Sequence, residues 1–241
     1  MTGTLVIVGV GPGDPDLVTV KAARAIAAAP VVSYFAKRGR CGHARTIADR
    51  YLAAGTRELR LEYPYTTEIA VGDPRYTEGL AIFYTQCAAR LSEELDGGAD
   101  VALLCEGDPL LYGSSIPLLD RLGPLYPSKI IPGVCGMNGC WAAARTPMAH
   151  GDDIVSIIPG TLDAAELTRA LSGCDAAVVV KIGHNLDKVR SALARTARDE
   201  QAIYVERGTM SGERAMPLSE LRDTPAPYFS LILIPGRRHA R

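Results

Sequence analysis

Two Gly-Asp-Pro turns, each directly behind an apolar strand, set the narrowest limits on how this chain can fold. The first is Gly9-Val10-Gly11-Pro12-Gly13-Asp14-Pro15, after Thr4-Leu5-Val6-Ile7-Val8. The second is Glu106-Gly107-Asp108-Pro109, after Val101-Ala102-Leu103-Leu104-Cys105. A strand that runs into a glycine-rich turn puts that turn at the carboxyl edge of a sheet, where open α/β sheets bind ligands. Two such turns in one half of the chain imply one cleft lined twice, and so an enzyme with a small-molecule ligand.

The rest of the chain alternates strand and helix. Apolar runs at 4–10, 31–35, 58–61, 100–105 and 129–132 read as strands of a first half. Helical spacing connects them at about 17–28, 43–53, 75–96 and 113–122. In the helix at 75–96, Leu80, Phe83, Tyr84, Cys87, Leu91 and Leu95 share one face. A second half follows, with strands at 154–158, 176–181, 202–205 and 228–234 and helices at 163–172 and 185–197. Asp163 stands where a helix N-cap is needed. Strands alternating with helices predict a largely parallel sheet. The expectation is α/β: an N-terminal domain over 1–132, a C-terminal domain over 141–241, and a Pro/Gly-rich linker turn at 133–140.

Bulk properties exclude several classes. With 241 residues, 47% hydrophobic and a net charge of −1, nothing global draws the chain to nucleic acid or to an acidic membrane. No run approaches the ~18 consecutive apolar residues of a membrane span. The N-terminus enters a strand with no basic region ahead of an apolar stretch, so no signal peptide is read. The six cysteines form no Cys-x-x-Cys pair, so no metal site is expected and a reducing, cytoplasmic setting is. A dinucleotide fingerprint requires Gly-x-Gly-x-x-Gly and an acid closing the second strand. Here Asp14-Pro15 follow Gly13, and Phe35 leads to Ala36-Lys37-Arg38. No Gly-Lys-Ser/Thr follows either, so the loop is not a phosphate-binding P-loop.

Three further stretches carry chemistry. Glu106 to Ser115 packs two carboxylates, a phenol at Tyr112 and two hydroxyls behind one strand. Its plain structural reading is a helix N-cap by Asp108 with Pro109 in the first turn. Ile131 to Trp141 places glycines at 133, 136 and 139, which lets backbone approach a ligand closely. Tyr204-Val205-Glu206-Arg207-Gly208-Thr209 is another strand running into a polar glycine turn. The densest basic run is Lys37, Arg38, Arg40 and Arg45. It suits a ligand rich in carboxylates, because arginine pairs them through two parallel hydrogen bonds.

In this order the stretches resemble the tetrapyrrole methylases of cobalamin and sirohaem biosynthesis. The carrying residues are the Gly9–Pro15 turn with Leu17-Val18-Thr19, the Gly-Asp-Pro-x-x-Tyr turn at Gly107–Tyr112, and Pro132-Gly133-Val134. Segments 34–45, 105–109, 136–144, 151–153, 181–186 and 204–207 resemble most the branch that methylates the C20 meso carbon of precorrin-2. The cobalt-bearing route and a non-catalytic ligand-binding relative are the alternatives. The chain departs from the family pattern at Cys135, Asn138 and His184.

The resemblance implies two α/β domains with S-adenosylmethionine folded into the cleft between them. It assigns cofactor contacts to Pro12, Gly107, Asp108, Pro109, Tyr112, Cys135, Gly136, Ile182, Gly208 and Thr209. Asp14, Glu106, Asp108 and Tyr112 are candidates for a base, Asp108 first among them for an orienting role. The partner is a small tetrapyrrole, and the assembly a homodimer. The apolar stretch from Tyr76 to Leu91 offers surface for the second copy.

Overall fold

The computed structural model describes residues 1–64, 74–222 and 226–236. The chain divides into two compact units, Met1–Gly136 and Met137–Arg241.

The first unit is built on β1 (Leu5–Gly9), β2 (Val31–Lys37), β3 (Arg57–Tyr63), β4 (Val101–Cys105) and β5 (Ser128–Ile131). They pair in the order β3-β2-β4-β1-β5. Every ladder is parallel, with β1 against β4 from Leu5↔Val101 to Gly9↔Cys105. Central strands covered on both faces read as unbroken apolar runs, and Leu5, Ile7, Val8 and Val101 to Leu104 are fully buried.

Helices α1 (Val20–Ala28) and α2 (His43–Ala48) cover one face through Ala22, Ile26, Ala44 and Ile47. Helices α3 (Pro74–Asp96) and α4 (Ile116–Leu122) cover the other through Phe83, Leu91, Leu95, Leu118 and Leu122. Thr19 caps α1 by accepting the Ala22 N–H at 3.1 Å. The expected apolar face of α3 is present and spent internally. Phe83 and Tyr84 join Phe35 and Tyr63 in one aromatic cluster with centroids 4.8–6.2 Å apart. Of the stretch offered as dimer surface, Phe83, Cys87 and Leu91 are buried, and Ile82 is the large aliphatic residue that faces out.

The second unit holds α5 (Gly136–Ala143, whose first residue belongs to the first unit), β6 (Val155–Pro159), α6 (Ala164–Ser172), β7 (Ala176–Val180), α7 (Leu186–Arg195), β8 (Ile203–Glu206), β9 (Arg214–Pro217) and β10 (Ser230–Ile234). The sheet order is β6-β7-β10-β8-β9. β6, β7 and β8 share a direction, while β10 and β9 run against them. Helices α6 and α7 pack on one face, and α5 with Met148 on the other. Asp163 caps α6 as its position predicts, accepting the Glu166 N–H at 2.8 Å.

Several expectations need correction. The glycine-rich stretch after β5 is a turn only as far as Cys135 and then becomes α5. Its glycines hide the apolar spacing that would announce a helix. β9 is absent from the sequence reading because Arg214-Ala215-Met216-Pro217 is short and ends in proline, as edge strands do. The last strand enters the middle of its sheet instead of closing it. The helix read at 113–122 begins only at Ile116, so Asp108 is not its N-cap. Among the described residues no helix is long and apolar enough to cross a membrane.

Candidate active site

Three turns of the first unit meet because their strands are neighbours. β1 lies between β4 and β5, so the turns after Gly9, Cys105 and Ile131 emerge side by side at the carboxyl edge. Gly11 and Gly107 form an isolated bridge in which Gly107 N–H donates to the Gly11 carbonyl at 2.8 Å. Gly107 is in the left-handed region, with φ of 64°. Backbones approach here so closely that side chains are excluded. A Cβ on Gly9 would lie 2.7 Å from the Gly107 carbonyl oxygen and 2.6 Å from the Gly133 nitrogen. On Gly133 it would lie 2.1 Å from that same oxygen. Gly136 differs: a Cβ there meets nothing within 4 Å. The knot is therefore closed at Gly9 and Gly133 and open at Gly136.

Asp108 ties the knot together. Its Oδ1 accepts the Leu110 N–H at 2.9 Å, and its Oδ2 accepts the Gly133 N–H at 3.2 Å. The side chain read as a helix cap is instead an Asx turn with a link across to the third turn. Asp14 likewise works on backbone, accepting the Asp16 N–H at 2.8 Å to cap the 3-10 turn Pro15–Leu17. Pro12 and Pro109 are buried beside these turns. Burial, together with the charge of Asp108, pushes the Cys135 thiol up from its ordinary value, so it stays protonated. Leu110 and Tyr112 are about half exposed, at 54% and 51%, with Leu111 between them. Tyr112 also adopts a left-handed backbone, with φ of 55°.

Glu106 stands apart from the other candidates. Its Oε1 accepts the Ala44 N–H at 3.2 Å, at the start of α2. Burial raises its proton affinity above the ordinary carboxylate range, and His43 and the Ala44 N–H oppose that rise.

The basic run divides into two parts. Arg45 is committed internally. Its Nε and Nη2 donate to the two Glu58 oxygens at 2.7 and 2.9 Å, and its Nη1 donates to Asp49 at 2.6 Å. These bonds, those to Glu58 first, raise its pKa and hold Glu58 below its usual value. Lys37 ends β2 and Arg38 and Arg40 lie in the turn that follows, all three exposed, and the turn closes through Arg40 N–H to the Lys37 carbonyl at 2.9 Å.

In the second unit, Ile182 follows β7 and the Gly208-Thr209 turn follows β8, two strands of one direction on either side of β10. Ile182 is fully buried. Arg207 and Thr209 have φ of 52° and 68°, each costing roughly 1–3 kcal/mol for a non-glycine residue. The turn is held regardless. Arg207 N–H donates to the Phe229 carbonyl at 2.7 Å, and Thr209 N–H to Glu213 at 2.6 Å. Gly208 seats against α5, where a Cβ would lie 2.8 Å from the Cys140 sulfur. Burial pushes that thiol up to about 11, against the Gly208 N–H hydrogen bond, which lowers it.

The sequence reading singled out neither Gly9 and Gly133 as site residues nor Cys140 as the seat of the Gly208 turn. The first two had a signal in their motifs. Cys140 had none, because its partner is distant in the chain.

Residues 4–222 match the family model described as Tetrapyrrole (Corrin/Porphyrin) Methylases. The chain is 48% identical over 234 residues to Precorrin-2 C(20)-methyltransferase from Sinorhizobium sp, which spans 97% of this chain and 96% of that protein. It is 31% identical over 239 residues to Cobalt-precorrin-2 C(20)-methyltransferase from Salmonella typhimurium, spanning 97% of each. A solved structure of uroporphyrin-III C-methyl transferase from Thermus thermophilus, complexed with S-adenyl homocysteine, has a TM-score of 0.67 at 23% identity. That likeness covers 97% of this chain and 92% of the other and concerns the fold.

Proposed function

Because the chain belongs to the tetrapyrrole (corrin/porphyrin) methylase family, we propose that it methylates the C20 meso carbon of precorrin-2, giving precorrin-3A, with S-adenosylmethionine as donor. The observation that carries this reading is the full-length likeness to the Sinorhizobium enzyme, which is stronger than that to the cobalt-precorrin-2 enzyme. The six cysteines are free, in keeping with a reducing cytoplasm.

The donor supplies an electrophilic methyl group on a sulfonium, and the electron-rich macrocycle is the nucleophile. The protein's task is alignment, which can supply roughly 7–11 kcal/mol of the barrier. The knot suits that task, since Asp108 fixes two of its turns to each other and open space lies beside Gly136. Pro12, Gly107, Pro109 and Cys135 complete that wall in this reading. Ile182, Gly208 and Thr209 contribute from the second unit. The exposed Leu110–Tyr112 strip gives an apolar surface for a flat ligand, and Tyr112 bears a phenol at its end. Lys37, Arg38 and Arg40 meet the carboxylates of the macrocycle. Arg45 supports them from behind by anchoring α2 to β3 through Glu58.

Anaerobic incubation of the protein with precorrin-2 and the donor should add one methyl group by mass spectrometry, and NMR should place it on C20. A methyl elsewhere on the ring overturns the assignment. Reaction of the cobalt complex alone transfers it to the cobalt route, and no turnover with either substrate makes the chain a ligand-binding relative.

The assembly proposed is a homodimer. It rests on the family resemblance, since the aromatic side chains of α3 are used in their own core. Light scattering at micromolar concentration should give twice the 25.6 kDa of the chain; a monomer there rules the dimer out.

A further inference from the structure

Methylation at a meso carbon leaves a proton to be removed, and four side chains in the sequence could accept it. Geometry separates them. Both carboxylate oxygens of Asp108 accept backbone N–H bonds, one within its own turn and one that ties that turn to Gly133. Protonating Asp108 would cost the site its own scaffold. Asp14 is spent on capping the Pro15–Leu17 turn. Tyr112 lies at the exposed end of the Leu110–Tyr112 strip, on a left-handed backbone and about half exposed.

Glu106 has the opposite character. One oxygen is held by a single backbone donor, the Ala44 N–H, which fixes the direction of the carboxylate. The second oxygen has no hydrogen bond among the described residues. The side chain sits directly ahead of Gly107, so it belongs to the turn proposed for the donor. Its hydrogen bond reaches α2, which begins just after the Lys37–Arg40 loop proposed for the macrocycle. The two hydrogen bonds of Asp108 go instead to Leu110 and Gly133. We infer that Glu106 is the general base that removes the C20 proton, with Oε1 on Ala44 as its anchor and Oε2 as the acceptor.

This inference rests on the methyltransferase reading. Once the bond from the methyl carbon to C20 has formed and its bond to the sulfonium has broken, sulfur keeps that electron pair as a thioether. The C20–H bond then breaks, its electrons return to the conjugated ring, and the proton passes to Glu106 Oε2 and from there to water. A general base works best with a pKa near the operating pH. Burial moves Glu106 in that direction, while His43 at the start of α2 and the Ala44 N–H restrain the rise, and the neighbouring Cys105 thiol stays neutral.

Glu106→Gln is the decisive variant, because the amide oxygen can still accept the Ala44 N–H but the group cannot take up a proton. Turnover should fall by about 10²–10⁴-fold, with calorimetric affinity for S-adenosylmethionine unchanged. The wild-type kcat should rise with pH through a carboxylate pKa above the ordinary range, and that limb should vanish in the variant. Formate should restore part of the activity of Glu106→Ala, which a purely structural role would not allow. Wild-type turnover in Glu106→Gln, or a loss traced wholly to weaker donor binding, overturns the inference. If neither variant folds, the wild-type profile decides alone, and a flat one overturns it. A wild type that methylates no tetrapyrrole removes the proposed function and this inference together, whereas an active Glu106→Gln removes the inference only.

Discussion

Replacing Gly133 by alanine is expected to abolish measurable binding of S-adenosylmethionine and to lower thermal stability. The added Cβ would lie 2.1 Å from the Gly107 carbonyl oxygen and 2.9 Å from Gly9 Cα. These are backbone atoms of two other turns, so no side-chain rotation relieves the overlap. Overpacking of this kind costs about 1–3 kcal/mol or more, with a fall in Tm of ~2–4 °C for each kcal/mol at this chain length. The turns must separate, and with them the wall proposed for the donor. Gly136→Ala is the matched control. Its Cβ enters open space, so Tm should hold while donor affinity falls, because the space filled is the one the donor would use. Equal donor affinity in the wild type and both variants would refute the placement of the donor at this knot.

Asp108→Asn should produce the second largest effect, and it should appear in binding before chemistry. The amide oxygen can replace only one of the two acceptors that serve the N–H groups of Leu110 and Gly133. The NH₂ group then faces a backbone donor. The Gly133 N–H is part-buried, and leaving a donor unsatisfied costs roughly 1–3 kcal/mol where it is shielded from water. If the site pays that cost on binding, KM for the donor rises by about 5–150-fold, since 1.4 kcal/mol is a factor of ten. kcat measured at saturating donor should change far less, the reverse of the pattern expected for Glu106→Gln. A variant with unaltered KM and a collapsed kcat would assign the proton-accepting role to Asp108 in place of Glu106.

Much of this arrangement was legible in the sequence because it is local. Strands of apolar residues ending in Gly-Asp-Pro make a carboxyl-edge turn wherever they are placed, since the glycines admit the required backbone and the strand fixes its exit. The cap at Asp163 depends on residues three apart and was read directly. The face of α3 follows from helical spacing alone. The family resemblance likewise rests on contiguous motifs, each readable without a partner.

Tertiary structure decided what depends on distant partners. Whether an aspartate caps a helix or bridges two turns depends on which strand lies beside its own. β5 next to β1 puts Gly133 within reach of Asp108, and no spacing within 106–115 contains that fact. The basic run looked uniform as a string, yet Glu58 on β3 claims Arg45 and leaves Lys37, Arg38 and Arg40 at the surface. The aromatic residues of α3 looked like uncovered surface until β2 and β3 supplied Phe35 and Tyr63. The insertion of β10 between β7 and β8 is long-range pairing, which local propensity cannot encode. The sequence by itself therefore determined the kinds of element, the turn chemistry and the family. The partners of Asp108, Glu106 and Arg45 were set by neighbours distant in the chain, because hydrogen bonds and ion pairs form between groups that are close in space, whatever their separation along the chain.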